Sequence, residues 1–195
     1  MSKKILYILT FSFLATFSFP MSAAQALRMD FISPIEPVEP IVATVDDREE
    51  ASVDAEAEAE EKADAEQRDR IIDKAMKYLG TPYVHGTAGP RSFDCSGFTS
   101  YVFGKENISL SRCSRTQYTQ GTPVVGGISN LRRGDLVFFG GSRATRTVGH
   151  VGIVVDVEED GKSFTFVHAA RGGVKVTRSN SSYYSRRYIG ARRVI

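Results

Sequence analysis

Three residues of this sequence have the types and settings for nucleophilic acyl-transfer chemistry: Cys95, His150 and His168. A thiol attacks as its thiolate, and a helix N-terminus favours negative charge, which lowers the thiol pKa. Cys95 stands at the start of a predicted helix running from about Cys95 to Phe103, with Asp94 as its N-cap, Phe98 and Val102 on its buried face and Gly104 past its end. Ser96 and Gly97 follow the thiol with no bulky side chain, so a substrate carbonyl can approach the first-turn amides, which then form part of an oxyanion hole. A cysteine taken alone is more often a buried structural thiol. The two histidines change that balance.

His150 opens the strand-like run Gly149-His150-Val151-Gly152-Ile153-Val154-Val155, in which a period of two puts Gly152 on the face of the imidazole and leaves room for another element. If that element is the Cys95 helix, the imidazole can take the thiol proton and later give it to a leaving amine. His168 ends the next run, Phe164 to His168, and there it can hold His150 in the needed tautomer. As zinc ligands, Cys95, Cys113, His150 and His168 lack any close pair, so neither metal nor cofactor is expected. Cys113 is expected to be a free, mostly buried thiol, because a bridge to Cys95 would disable the nucleophile. His85, in a glycine loop, is either a loop surface residue or a subsite residue. Arg112 and Arg171 belong to further loops that shape a substrate groove.

The elements that carry these residues fall into two groups. Ile71, Ile72, Ala75, Met76 and Leu79 recur at helical spacing from Asp69 and stop at Gly80 and Pro82. Tyr83 to Phe93 reads as a loop, and Arg112 to Gln120 as a short helical or turn-rich stretch. After Gly134 come short β-branched and aromatic runs at Leu136 to Phe139, Val151 to Val157, Phe164 to His168, Val174 to Thr177 and Tyr188 to Ile195, as in an antiparallel meander. Helices first and strands afterwards predict an α+β domain over 70–195. A doubly wound nucleotide-binding fold would need the two to alternate.

The remaining sequence bears on compartment and partners. Lys3 and Lys4 precede an apolar stretch from Ile5 to Phe19, followed by small residues at Ser22-Ala23-Ala24 and Ala24-Gln25-Ala26, which reads as a signal peptide over 1–26. That stretch is broken by Thr10, Ser12, Thr16 and Ser18 and falls short of the roughly 20 apolar residues a span takes. With no lipid-attachment cysteine before Cys95, the mature chain is expected in the periplasm or secreted, without stable membrane insertion, and as a monomer. The formal charge of +2 hides two opposite halves. Residues 30–69 carry 15 acidic against 3 basic residues, and residues 70–195 carry 19 basic against 8 acidic. The segment 27–69 reads as an acidic linker, extended through Pro34, Pro37 and Pro40 and then disordered or frayed-helical. A basic domain suits a polyanionic partner; no nucleic-acid motif is present.

Five ordered segments carry a resemblance: Gly80-Thr81-Pro82-Tyr83, Phe93-Asp94-Cys95-Ser96-Gly97-Phe98, Arg133-Gly134-Asp135-Leu136-Val137-Phe138-Phe139, Gly149-His150-Val151-Gly152-Ile153 and Val167-His168-Ala169. Together they resemble the NlpC family of bacterial cell-wall cysteine peptidases. Ser129-Asn130-Leu131-Arg132 and Tyr188 to Ile195 look most like a murein endopeptidase within it. The resemblance implies a papain-like fold, with Cys95 as nucleophile, His150 as general base and His168 as its orienting partner. It further implies Tyr83 as an oxyanion or substrate contact and peptidoglycan as the partner. The bond cut is then the D-alanyl-diaminopimelate cross-bridge or, alternatively, a D-glutamyl-γ-diamino-acid bond. The chain departs from the family pattern at His85-Gly86-Thr87 and at Ser111, both near the expected groove. A wall-binding module without catalysis would need neither the cysteine nor the histidines. An acyltransferase would use the same thiol chemistry.

Overall fold

The computed structural model describes residues 47–141 and 146–195; the predicted signal peptide lies outside them. The described chain is α+β. Three helices come first, α1 (Asp47–Met76), α2 (Cys95–Gly104) and α3 (Ser114–Gln117), followed by strands β1 (Thr122–Pro123), β2 (Leu136–Gly140), β3 (Val148–Val157), β4 (Phe164–Ala170) and β5 (Gly173–Arg178), then helix α4 (Ser182–Ser185) and strand β6 (Tyr188–Arg193). The strands form one antiparallel sheet in the order β1-β6-β2-β3-β4-β5. The expected meander therefore holds from β2 to β5, and the last strand crosses back to pair with β2 instead of extending the far edge.

The strand period of two divides the core. Leu136 and Phe138 of β2, with Val151, Ile153, Val167 and Ala169, share one cluster with Phe98, Val102 and Phe103 of α2. Val137 and Phe139 share the other with Val154, Phe164, Phe166, Ala191 and Tyr184 of α4. The N-terminus of α2 thus lies against a sheet that is buried on both faces, as a papain-like arrangement requires.

Helix α1 differs from expectation at both ends. It begins well inside the acidic segment and runs through the Ala/Glu run as continuous helix. Ala and Glu are strong helix formers, and the helix is tied to the domain by charge: Glu61 accepts hydrogen bonds from Arg68 and Arg132, each at 2.9 Å, and Asp69 pairs with Arg133 at 2.6 Å. Arg68 is buried beside Gly134, whose positive φ suits glycine. At the other end Ile71, Ile72 and Ala75 are buried as expected, but Leu79 is 46% exposed. The helix stops at Met76, and the turns through Tyr78 and Leu79 carry that side chain off the buried stripe.

Candidate active site

Asp94 organises the N-terminus of α2. Its Oδ1 caps the helix by accepting from the Gly97 amide at 2.8 Å, its Oδ2 accepts from the Gly86 amide at 2.8 Å, and Arg112 grips both oxygens at 2.7 and 2.6 Å. Burial pushes this carboxyl up, but Arg112 and the two amides outweigh it and hold the pKa below the ordinary value. Arg112, expected to shape the substrate groove, lines the cavity beside Cys95 and is also held in place, since its guanidinium donates to the Thr87 carbonyl at 2.9 Å. Gly97 likewise serves packing rather than substrate approach: a Cβ there would come within 2.2 Å of the Thr87 carbonyl oxygen. Ser96 is buried, and its hydroxyl donates to the Arg112 carbonyl at 2.7 Å.

Cys95 follows, a free thiol only 9% exposed. Burial raises its pKa above the ordinary thiol value and the Asp94 charge adds to that, while the amides of Ser96, Val151 and Cys95 itself pull the other way. The expectation of a lowered thiol therefore fails, because burial and the capping carboxylate outweigh the amides at the helix end. The amide of Val151 on the sulfur brings the start of β3, which carries His150, to Cys95.

His150 Nε2 lies 2.8 Å from His168 Nδ1, with the two rings nearly perpendicular at 86°. His168 is fully buried, stacked against Phe166 at 4.7 Å, and its Nε2 lies 2.9 Å from the Thr177 hydroxyl. Burial drives both imidazoles neutral, His150 down to about 4 and His168, with the added charge of His150, to about 2; Lys175 pushes each in the same direction. Gly152 does make room for a neighbour, but the neighbour is β4 rather than α2. A Cβ there would meet Phe166 at 2.6 Å and the His168 Cβ at 3.2 Å.

Two cavities open from this point. One, of 480 Å³, is lined by Cys95, Ser96, His85, Arg112 and Arg115, and the other, of 770 Å³, by His150, Arg171, Lys175, Tyr183 and Tyr184. Tyr83 and Gly149 line both. Burial raises the Tyr83 phenol pKa, reinforced by Cys95 and Asp94 against Arg112, so it remains a hydrogen-bond donor at neutral pH. His85 is exposed on the rim of the first cavity. Cys113 is free as expected but exposed rather than buried, because it sits in extended backbone at the start of α3. The amides of Thr116 and Arg115 lower its thiol pKa. A separate cavity of 820 Å³ beside β1 and β6 is lined by neither cysteine nor histidine. Among the described residues no group of three His, Cys, Asp or Glu could hold a metal.

Thr177 and Tyr184 were not foreseen. Thr177 reaches His168 only through the register of β4 with β5, and Tyr184 reaches both histidines only through the return of the chain in α4. Neither relation has a local signal in sequence.

The model of the NlpC/P60 family matches residues 80–193. The chain is 43% identical over 101 residues to the probable endopeptidase p60 of Listeria grayi, covering 49% of this chain and 19% of that protein. To the probable peptidoglycan endopeptidase LytE of Bacillus subtilis it is 33% identical over 124 residues, 64% of this chain and 34% of that one. The chain therefore matches about a fifth to a third of the length of these relatives. Among solved structures, the NlpC/p60 domain of the peptidoglycan hydrolase SagA superposes with a TM-score of 0.51 at 29% identity, covering 65% of this chain and 97% of that one.

Proposed function

The chain belongs to the NlpC/P60 family, and from that premise we infer that it is a cell-wall hydrolase, a cysteine endopeptidase acting on the stem peptides and cross-bridges of peptidoglycan. The observation that carries the reading is the Val151 amide on the Cys95 sulfur, next in the chain to His150, together with the His150–His168–Thr177 relay, where two cavities share Tyr83 and Gly149. Cys95 is the nucleophile, His150 the base and His168 its orienting partner.

In the resting site thiol and imidazole are both neutral. With His150 Nε2–H donating to His168 Nδ1, and His168 Nε2–H donating to Thr177, the other nitrogen of His150 keeps its lone pair. That nitrogen takes the thiol proton as sulfur attacks the scissile carbonyl. The first-turn amides of α2, including that of Ser96, and the Tyr83 hydroxyl stabilise the oxyanion. The C–N bond then breaks, the leaving amine takes the proton from His150, and a thioester remains. Water, deprotonated by His150, hydrolyses it and restores the thiol. His85, on the rim beside Cys95, meets the acyl-side fragment.

The bond favoured is that between D-alanine and diaminopimelate in the cross-bridge. Action on the wall places the enzyme outside the cytoplasmic membrane, periplasmic or secreted, with the predicted leader as the route; no helix among the described residues is long and apolar enough to cross a membrane. Digestion of purified muropeptides by the full chain tests the reading. Cross-linked dimers should fall to monomers by mass, and Cys95→Ser and His150→Ala should abolish the change. Stem shortening after D-glutamate would move the specificity to the other bond, and no product of either kind would overturn the assignment.

A further inference from the structure

The two cavities differ in charge. In the Cys95 cavity, Arg112 is neutralised by Asp94 and Arg115 donates its Nε to the Val148 carbonyl at 3.2 Å. In the His150 cavity, Arg171 and Lys175 are both exposed, and no carboxylate among the described residues pairs with either. The other cation nearby, Arg187, is engaged: it stacks on the Tyr183 ring at 3.9 Å and donates to the Gly141 carbonyl. On the His150 side the fold leaves two cations without a carboxylate or a carbonyl partner among the described residues, whereas on the Cys95 side Arg112 is held by a carboxylate and Arg115 by a carbonyl.

Their placement is rigid. Ala170 pairs with Gly173, so Arg171 and Gly172 form a two-residue hairpin, with Gly172 and Gly173 at φ of 93° and 102° where only glycine is unstrained. Lys175 lies directly opposite His168 in the ladder and so shares its face. The hairpin base is pinned to the loop leading into Tyr83: the Gly80 amide donates to the Val174 carbonyl and the Val174 amide to the Thr81 carbonyl, each at 2.9 Å. One hairpin thus carries the orienting histidine, its hydroxyl partner and both free cations.

We propose that Arg171 and Lys175 form a carboxylate-binding subsite on the leaving-amine side of the cleft, and that the ligand group is a free carboxylate on the carbon bearing the scissile amine. The proposal rests on the cysteine peptidase reading, because it is the return of a proton from His150 that places the leaving amine in the His150 cavity. It separates the two candidate bonds by their chemistry. In a D-alanyl-diaminopimelate cross-bridge, the leaving amine sits on a carbon that also bears a free carboxylate. In a D-glutamyl-γ-linked stem that continues to D-alanine, the carboxyl on the carbon of the leaving amine is tied up as an amide, and the free glutamyl carboxylate lies on the acyl side, where Arg112 is already paired with Asp94. Against such a stem, the free cations favour the cross-bridge.

Calorimetry on the full-length Cys95→Ser protein tests this with two cross-linked muropeptide dimers, one with the diaminopimelate carboxylate free and one with it amidated. The free acid should bind about tenfold more tightly, the combined effect of two solvent-edged charge contacts. With Arg171→Gln and Lys175→Gln added, it should bind as weakly as the amide. Equal affinity for the two dimers, or discrimination that survives the double substitution, would overturn the subsite. Turnover by the unmodified chain is read separately. Cleavage without carboxylate discrimination removes the subsite and leaves the peptidase, whereas discrimination without any cleavage supports the subsite and removes the peptidase.

Discussion

Replacing Thr177 by valine keeps shape and removes one hydroxyl, 2.9 Å from the Nε2 of a fully buried histidine. In the proposed mechanism His150 becomes an imidazolium when it takes the thiol proton, and both of its nitrogens donate. His168 must then accept through Nδ1, which places its own proton on Nε2, facing Thr177. Valine leaves that N–H buried without a partner, at a cost of about 1–3 kcal/mol. The resting neutral pair escapes this cost by moving the His168 proton to Nδ1, which spoils the tautomer of His150. The loss therefore falls on the transition state and lowers kcat by about 5- to 150-fold. KM should change little, because Thr177 lines neither cavity. The assay is muropeptide turnover per folded molecule, alongside nitrogen-15 NMR of the histidine rings to read the tautomers. Thr177→Ser should restore both. Equal turnover in the valine variant, or equal losses with serine and valine, would refute the relay.

The two thiols should separate by reactivity: at mildly alkaline pH iodoacetamide should label exposed Cys113 before buried Cys95, read by peptide mass, and Cys113→Ser should lose the fast phase while keeping most activity. Fast labelling of Cys95 would contradict the raised thiol. The acid limb of kcat/KM should lie near the His150 value of about 4 rather than at the ordinary 6.5, and Lys175→Gln should move it upward. Because both histidines have folded pKa values below the unfolded one, the unfolded state binds more protons, and stability should fall as pH drops from about 6.5 towards 4. His168→Gln should lessen that slope in pH-dependent melting; an unchanged slope would show that His168 is not the buried neutral group it is taken to be.

What was legible in the sequence is what neighbours in the chain decide. Asp94 before Cys95, with Phe98 and Val102 beyond, specifies a capped helix whose first residue is the thiol, and β2 to β5 follow from their apolar runs. The antiparallel neighbours β3 and β4 then bring the two histidines together. What was not legible needs a partner far along the chain. Arg112 reads as a groove residue, but nothing local shows that it also grips Asp94, 18 positions away. The acidic run reads as a linker because it has no apolar face of its own; pairs such as Glu61 with Arg132 and Asp69 with Arg133 help tie it to the domain. Gly152 announces a close approach but cannot say by which element, since that depends on the register of β3 against β4.

The same distinction explains why the helix terminus does not make a thiolate. A bare helix N-terminus offers its first amides to an anion, but here Asp94 Oδ1 already accepts from the Gly97 amide, and the carboxylate brings a negative charge beside the sulfur. Arg112 offsets that charge in part, yet its guanidinium is directed at the carboxylate rather than at the thiol. On the other side of the cleft the packing of Phe139, His168 and Tyr184 around His150 disfavours an imidazolium. Charge separation is thus opposed at both ends while the site is empty. In the proposed mechanism it becomes favourable only when a scissile carbonyl arrives to receive the negative charge and His150 can pass its proton to a departing amine, so bond cleavage is coupled to a correctly placed peptide instead of to a standing thiolate.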